Sequence, residues 1–336
     1  MSGLSLISNK AIAYILLFFI HGYPLIHHGH NDVPELALLT KPLFLAIMSV
    51  AREIKHRLEA VLIIGVLKAL GVMPVDAASA AGGKVMRMIG PRMRRHKRAL
   101  ENIARFLPQL TEVERQNLAL EMWENAGRVF GEIPHSKRIL DDPARFRYVG
   151  LEEAVKGVPE NSGGVALSGH CGNWELSPAP SYKMQKPQLS FYRSVNNAIL
   201  DRALKKYREA ICTGELVPKG SDSMKRAMQA VQKGYFIGML VDQKESQGIE
   251  APFMGVPAMT NHAPALLVCR YNVPLYIGFV VREKGAHFRM ECRRVDVELT
   301  GDNKADVPAI TAKINDILGA WILEHPAQWL WTTRRW

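Results

Sequence analysis

The sequence predicts an α/β protein: a helical N-terminal part followed by an αβ sandwich with a central, mainly parallel sheet. Three observations carry this. Beyond about residue 150, short apolar runs alternate with helical stretches of roughly 10–15 residues, the pattern of strand–helix–strand units. From residue 48 to about 148 the periodicity is helical. The 336 residues are 48% hydrophobic and 22% charged, enough to bury a large core, so disorder is not a competing class.

Residues 1–47 read as a poorly structured N-terminal extension, and Met48 could itself be the start. The stretch HGYPLIHHGHNDVPELALLTKP mixes histidines, prolines and Asn-Asp in what must be turn or loop. The apolar run AIAYILLFFI has the length of a signal-peptide core. Its leading segment is nearly uncharged and no small-residue cleavage site follows, which argues against secretion.

Residues 48–75 carry Arg52, Lys55, His56 and Arg57 ahead of an apolar core at 60–67 that Lys68 interrupts. That core is much shorter than the ~20 residues of a spanning helix. The expectation is a membrane-anchoring helix lying in or dipping into the interface, its basic flanks facing anionic headgroups. A buried core helix is the alternative.

Residues 76–148 form a helical region with a basic face. Asp76 can cap a helix running to about Met88, Gly90-Pro91 breaks it, and a second helix continues to Phe106. Lys84, Arg87, Arg92, Arg94, Arg95, Lys97 and Arg98 occur with no acid until Glu101. With a net charge of +11, this run points to an anionic partner. It has neither interleaved aromatics for base stacking nor a groove-reading motif, which disfavours nucleic acid. A phosphate-bearing lipid or membrane surface and a plain solvated face both remain. Thr111 and Glu114 then make a capping box opening a long helix, with Leu118, Met122, Trp123, Val129 and Phe130 as core residues.

Residues 149–336 make up the α/β core. Strands are expected at 165–168, 189–192, 216–218, 235–241, 275–281 and 287–293. Helices are expected at 174–182, 198–210, 223–233, 263–271 and 307–323. Cys171, Cys212, Cys269 and Cys292 are too scattered for a zinc or disulfide framework, and a reducing setting fits best.

The chemistry is sought at histidines followed five positions later by an acid, but four such pairs exist: His27/Asp32, His30/Glu35, His96/Glu101 and His170/Glu175. Spacing therefore decides nothing, and setting must. The first two lie in the N-terminal extension, where a metal site built on His27, His28, His30 and Asp32 lacks helical ligand spacing. His96/Glu101 sits inside the basic helix, where positions five apart diverge. His170 alone follows a short buried strand and precedes a helix that Asn173 can cap, the place where a scaffold aims catalytic groups. A carboxylate at Glu175 could fix the imidazole tautomer and leave the other nitrogen to take a proton from a hydroxyl. The plain alternative is an acid in a helix's first turn and a histidine satisfying a turn. Cys171 could act as a thiol nucleophile, but adjacent residues on a turn point apart.

The block GHCGNWE resembles the H-x-x-x-x-[DE] block of lysophospholipid-type acyltransferases, specifically the bacterial lipid A biosynthesis late (lauroyl/myristoyl) acyltransferases. LSFYRSVNNAILDRALKKYRE resembles the same family's Tyr-Arg, Asn-Asn block and the helix after it. AVQKGYFIGMLVDQKESQGIEAPFMGVPAMT resembles its Asp-Gln segment and Phe-x-Gly-x-Pro-Ala-x-Thr loop, and HPAQWLWTTRRW its closing segment. The likeness runs from about Met48 to Trp336. Cys171, Met254 and Thr332-Thr333 depart from the residues common there.

The resemblance implies transfer of a fatty acyl chain from an acyl carrier protein to a hydroxyl of a Kdo2-lipid IVA-type lipid A precursor, with no metal or cofactor. It also implies a place at the cytoplasmic face of the inner membrane, held by the N-terminal helix. His170 would be the general base and Glu175 its partner. Arg193 would serve the acyl carbonyl or a phosphate, with Asn173, Asp242, Gln243 and Thr260 as further substrate contacts. Arg92, Arg94, Arg95, Lys97 and Arg98 would meet the carrier, the phosphates or the membrane surface. Another glycolipid or phospholipid acceptor, a thiol- or metal-dependent lipid hydrolase, and a non-catalytic surface binder are the alternatives.

Overall fold

A computed structural model describes residues 37–159 and 162–336. The histidine cluster at 27–32 lies outside them. The chain opens with α1 (Ala37–Val72), which begins within the segment the sequence leaves without structure. Then come α2 (Val75–Ile89), α3 (Arg94–Phe106) and α4 (Glu112–Glu132). Thr111 opens α4 as expected: its hydroxyl accepts from the Glu114 amide, and the Glu114 carboxylate accepts from the Thr111 amide. Leu118, Met122, Trp123, Val129 and Phe130 are all buried. Asp76 does not cap α2. It lies in the first turn, where it accepts from Arg145 at 2.7 Å and from the Ala286 amide at 3.2 Å.

Helices α2 and α4 pack at backbone contact because Gly82 and Gly127 face each other. A methyl group on either would overlap the other's carbonyl oxygen. This close approach seats α4 against the α/β core, where two of its polar side chains reach the functional site described below.

The anchor expected at 48–75 requires correction. No helix among the described residues is long and apolar enough to cross a membrane. One face of α1 is also committed elsewhere: Ala60, Ile63, Leu67 and Leu70 are buried in the main core. A sequence window scores 60–67 as one apolar run, whereas the fold divides it, burying Ala60, Ile63 and Leu67 and leaving Val61 and Leu62, with Leu58 before them, exposed.

The core is a seven-stranded sheet in the order β1-β9-β8-β2-β5-β3-β4. Its strands are β1 (Phe146–Val149), β2 (Gly164–Ser168), β3 (Gln188–Tyr192), β4 (Glu215–Pro218), β5 (Phe236–Leu240), β8 (Leu275–Lys284) and β9 (His287–Val295). Neighbours run parallel except β8 and β9, which form an antiparallel hairpin. The six expected strands are present within a few residues of their expected ends. Strand β1 and the separate hairpin β6 (Ile249–Phe253) with β7 (Val256–Thr260) are additional. β1 escapes notice because it is only four residues long and, apart from Phe146, half-buried or exposed at the sheet's edge. The hairpin is hidden by its prolines, Pro252 and Pro257, which sit opposite each other.

Helices α6 (Leu151–Val155), α7 (Ala179–Met184), α8 (Ala198–Glu209), α9 (Ser223–Gln232), α10 (Ala263–Tyr271) and α11 (Asn303–Glu324) flank the sheet, with the short α5 (Ser136–Asp141) preceding β1. The helix expected at 174–182 is instead a 3-10 turn, Trp174–Leu176, followed by α7, because Pro178 separates them.

Candidate functional site

In β2, Val165 and Leu167 point into the core and the strand ends at Ser168, delivering His170 to the sheet's C-terminal edge. Strand β5 lies beside β2 in parallel, with Ser168 paired to Leu240, and the Val241 amide donates to the Ser168 carbonyl at 3.0 Å. Two residues beyond that pair stand His170 and Asp242. The register therefore places them side by side, and His170 Nδ1 lies 2.8 Å from Asp242 Oδ1. The other Asp242 oxygen accepts from Trp329 Nε1 at 2.8 Å. Asp242 is fully buried, and Trp329 comes from the closing segment, so three distant parts of the chain meet here.

The bond expected between His170 and Glu175 is not the one the fold makes. Glu175 instead forms a two-pronged ion pair with Arg208, Nε to Oε2 at 2.7 Å and Nη2 to Oε1 at 2.8 Å. Arg208 is the functional-site residue that sequence reasoning missed. It lies in the last turn of α8, 33 positions after Glu175, and nothing local marks it as a partner.

These pairings set the charges. Burial by itself lowers the imidazole of His170, but the charge and hydrogen bond of Asp242, with a further contribution from Glu175, outweigh it and hold the group above its ordinary value. Burial raises the carboxyls of Asp242 and Glu175. Asp242 nonetheless stays below its usual range through His170 and Trp329, and Glu175 through Arg208. Both are therefore carboxylates near neutrality. A carboxylate only accepts, so the Asp242 contact puts the neutral imidazole's proton on Nδ1 and leaves the lone pair on Nε2.

The turn between His170 and Glu175 is clamped from several sides. Gly172 has φ +54°, and a side chain there would overlap the Val280 carbonyl oxygen. Its amide donates to the Gln328 carbonyl at 2.9 Å, and its own carbonyl accepts from Asn125 Nδ2 at 2.9 Å. Asn173, expected as a cap and substrate contact, does cap: its Oδ1 accepts from the Glu175 amide at 3.2 Å. Its amide nitrogen donates to Glu132 Oε2 at 2.8 Å, and the residue is buried away from the cavity. Glu132 also accepts from both terminal nitrogens of Arg282, the Nη2 bond being 2.9 Å. Glu132 is fully buried and the Arg282 side chain only 9% exposed, so Glu132→Ala would strand a buried guanidinium. We expect that variant to lose about 3–5 kcal/mol of stability, read from the denaturant midpoint.

The site opens into a cavity of about 750 Å³ lined by His170, Glu175 and Arg208 and by many apolar side chains. Arg193 and Gln243 line it as well, Arg193 exposed and Gln243 with its amide nitrogen 3.4 Å from each ring nitrogen of His170. Thr260 does not. It is buried beneath the C-terminus, where it accepts from Arg335 Nη2 at 2.8 Å.

The basic face is narrower than its sequence suggests. Arg92, Arg94 and Lys97 are exposed, but Arg95 is buried, and Arg98 turns inward to donate to the Thr332 carbonyl at 3.3 Å. Helical phase separates these residues, since consecutive positions face directions about 100° apart. His96, in the same helix, accepts from Trp123 Nε1 at 3.2 Å, while Glu101 pairs with Lys97.

The arrangement can withdraw a proton from a hydroxyl held at His170 Nε2, next to an apolar cavity. Cys171 offers no rival nucleophile. It is buried, its backbone bridges Trp329, and burial pushes its thiol well above the ordinary range, so the thiolate is suppressed. Residues 47–336 match the family described as bacterial lipid A biosynthesis acyltransferase. No curated protein matches the chain.

Proposed function

Because the chain belongs to the bacterial lipid A biosynthesis acyltransferase family, and is thereby an acyltransferase, we propose that it moves a fatty acyl chain from the thioester of an acyl carrier protein to a hydroxyl of a Kdo2-lipid IVA-type precursor. The observation that carries this reading is His170, held by Asp242 through one ring nitrogen and lining the cavity.

In this reading the acceptor hydroxyl gives its proton to His170 Nε2 as its oxygen attacks the thioester carbonyl. The resulting imidazolium is stabilised by Asp242. The tetrahedral intermediate collapses, the carbon–sulfur bond breaks, and the thiolate of the carrier takes the proton back from His170. The products are an ester and a free carrier thiol. Arg193 and Gln243, both lining the cavity, supply donors for the carbonyl oxygen or a phosphate. Glu175 keeps negative charge near His170, while Arg208 fixes its direction. Arg92, Arg94 and Lys97 offer a basic surface to an acidic carrier.

The purified chain, mixed with an acyl-carrier thioester and a phosphorylated lipid A precursor in detergent, is expected to raise the precursor's mass by one acyl group. Acyl appearing only as free fatty acid would overturn the transferase assignment of this site in favour of hydrolysis. Transfer from an acyl-coenzyme A thioester alone would overturn the carrier.

A further inference from the structure

The cavity descends from His170 over one face of the sheet. By register, Ala166 stands beside Gly238 and Gly238 beside Ser190, so this stretch of floor carries almost no side-chain volume. Leu151 and Val155 of α6 and Met184 of α7 wall it in. Small residues below and apolar ones around make a slot suited to a hydrocarbon chain.

A polar cluster breaks the apolar lining. Gln188 is 5% exposed, and its amide lies over Gly238, where a methyl group on the glycine would collide with it. The amide is held at both ends: its oxygen accepts from Ser181 Oγ at 2.6 Å, and its nitrogen donates to Ser190 Oγ at 2.6 Å. Tyr276, in register with Ala166, brings a second polar group to the same depth. It is 8% exposed, and its hydroxyl has no partner among the described residues. A chain pushed past this level would have to displace the amide from both hydroxyls without replacing either bond, which an alkyl group cannot do.

We propose that Gln188, braced by Ser181 and Ser190, is the stop that ends the acyl slot and sets the longest chain transferred. This rests on the acyl-transfer reading of the site. A purely structural tie between α7 and β3 would need the Ser181–Gln188 hydrogen bond, but it would have no consequence for chain length.

The test offers the full chain a mixture of acyl-carrier thioesters graded by two methylenes, with the lipid A precursor, and reads product masses. Gln188→Ala is expected to move the upper cut-off by at least one two-carbon step. The ratio of longer to shorter product should rise roughly tenfold, the value of two newly buried methylenes. Gln188→Met, which fills the space without the hydrogen bonds, should also raise the cut-off, though by less than Gln188→Ala, because its flexible side chain yields without losing either bond. Ala166→Leu, which fills the floor from the opposite side, should shorten it and does not depend on Gln188→Ala folding. Unchanged cut-offs in folded Gln188→Ala and Ala166→Leu overturn the proposal. If the wild-type chain transfers from no carrier thioester, the function above fails by itself. The stop is then read from protection against thermal unfolding by free fatty acids of graded length, where the same shift between wild type and Gln188→Ala supports it and identical profiles overturn it.

Discussion

Replacing His170 with alanine is expected to lower acyl transfer by roughly 10²–10⁴-fold, the range spanned by a positioned general base. His170 Nε2 is the lone pair that Asp242 leaves available at the cavity, and no other histidine is bonded to Asp242 among the described residues. The variant removes the partner that holds Asp242 ionised, so the measurement must include a folding check by thermal unfolding. Trp329 still donates to the carboxylate, which favours a folded protein. Turnover near the wild-type rate in a folded His170→Ala protein would remove the base assignment.

Asp242→Asn is expected to cost almost as much, roughly 10³–10⁴-fold in kcat, although the side chain keeps its shape. An amide can donate to Nδ1 and stabilise the tautomer that carries the proton on Nε2, the wrong nitrogen for a base; this magnitude follows the serine-protease triad. A pH profile separates this from damage to the fold. The wild-type imidazole is held above its ordinary value, so activity should fall on the acid side as His170 gains its proton. Without the Asp242 charge, burial is left to lower the imidazole, and the acid limb of the residual activity should move to lower pH. An acid limb that stays in place would show that His170 is not the titrating group. Stability runs the other way. A raised imidazole contributes fully below its unfolded value of ~6.5, and that contribution is lost as pH rises through the folded one.

The difference between Glu175 and Asp242 shows where sequence reading stops. His170…Glu175 is a local pattern, visible because both residues lie in one turn. His170–Asp242 is 72 positions apart and exists only because β5 lies next to β2 with Ser168 opposite Leu240. Asp242 could be read as lining a site, since it follows a strand at the sheet's C-terminal edge. Its bond to His170 could not be read without the strand order. The same holds for Arg208, which reaches Glu175 from the far end of α8. It holds for Arg95 too, whose burial depends on helical phase and on what packs against α3.

By itself the sequence determined the α/β class, the place of His170 in a turn after a buried strand, the Thr111 cap and the core residues of α4. These follow from short-range rules: apolar periodicity, capping chemistry and the cost of burying polar groups. The tertiary structure alone decided which carboxylate orients His170, which cation holds Glu175, which arginines of the basic run stay in solvent, and which face of α1 belongs to the core. Each of these depends on which elements become neighbours, and that is set by the summed packing of the whole chain, a quantity that no single stretch contains.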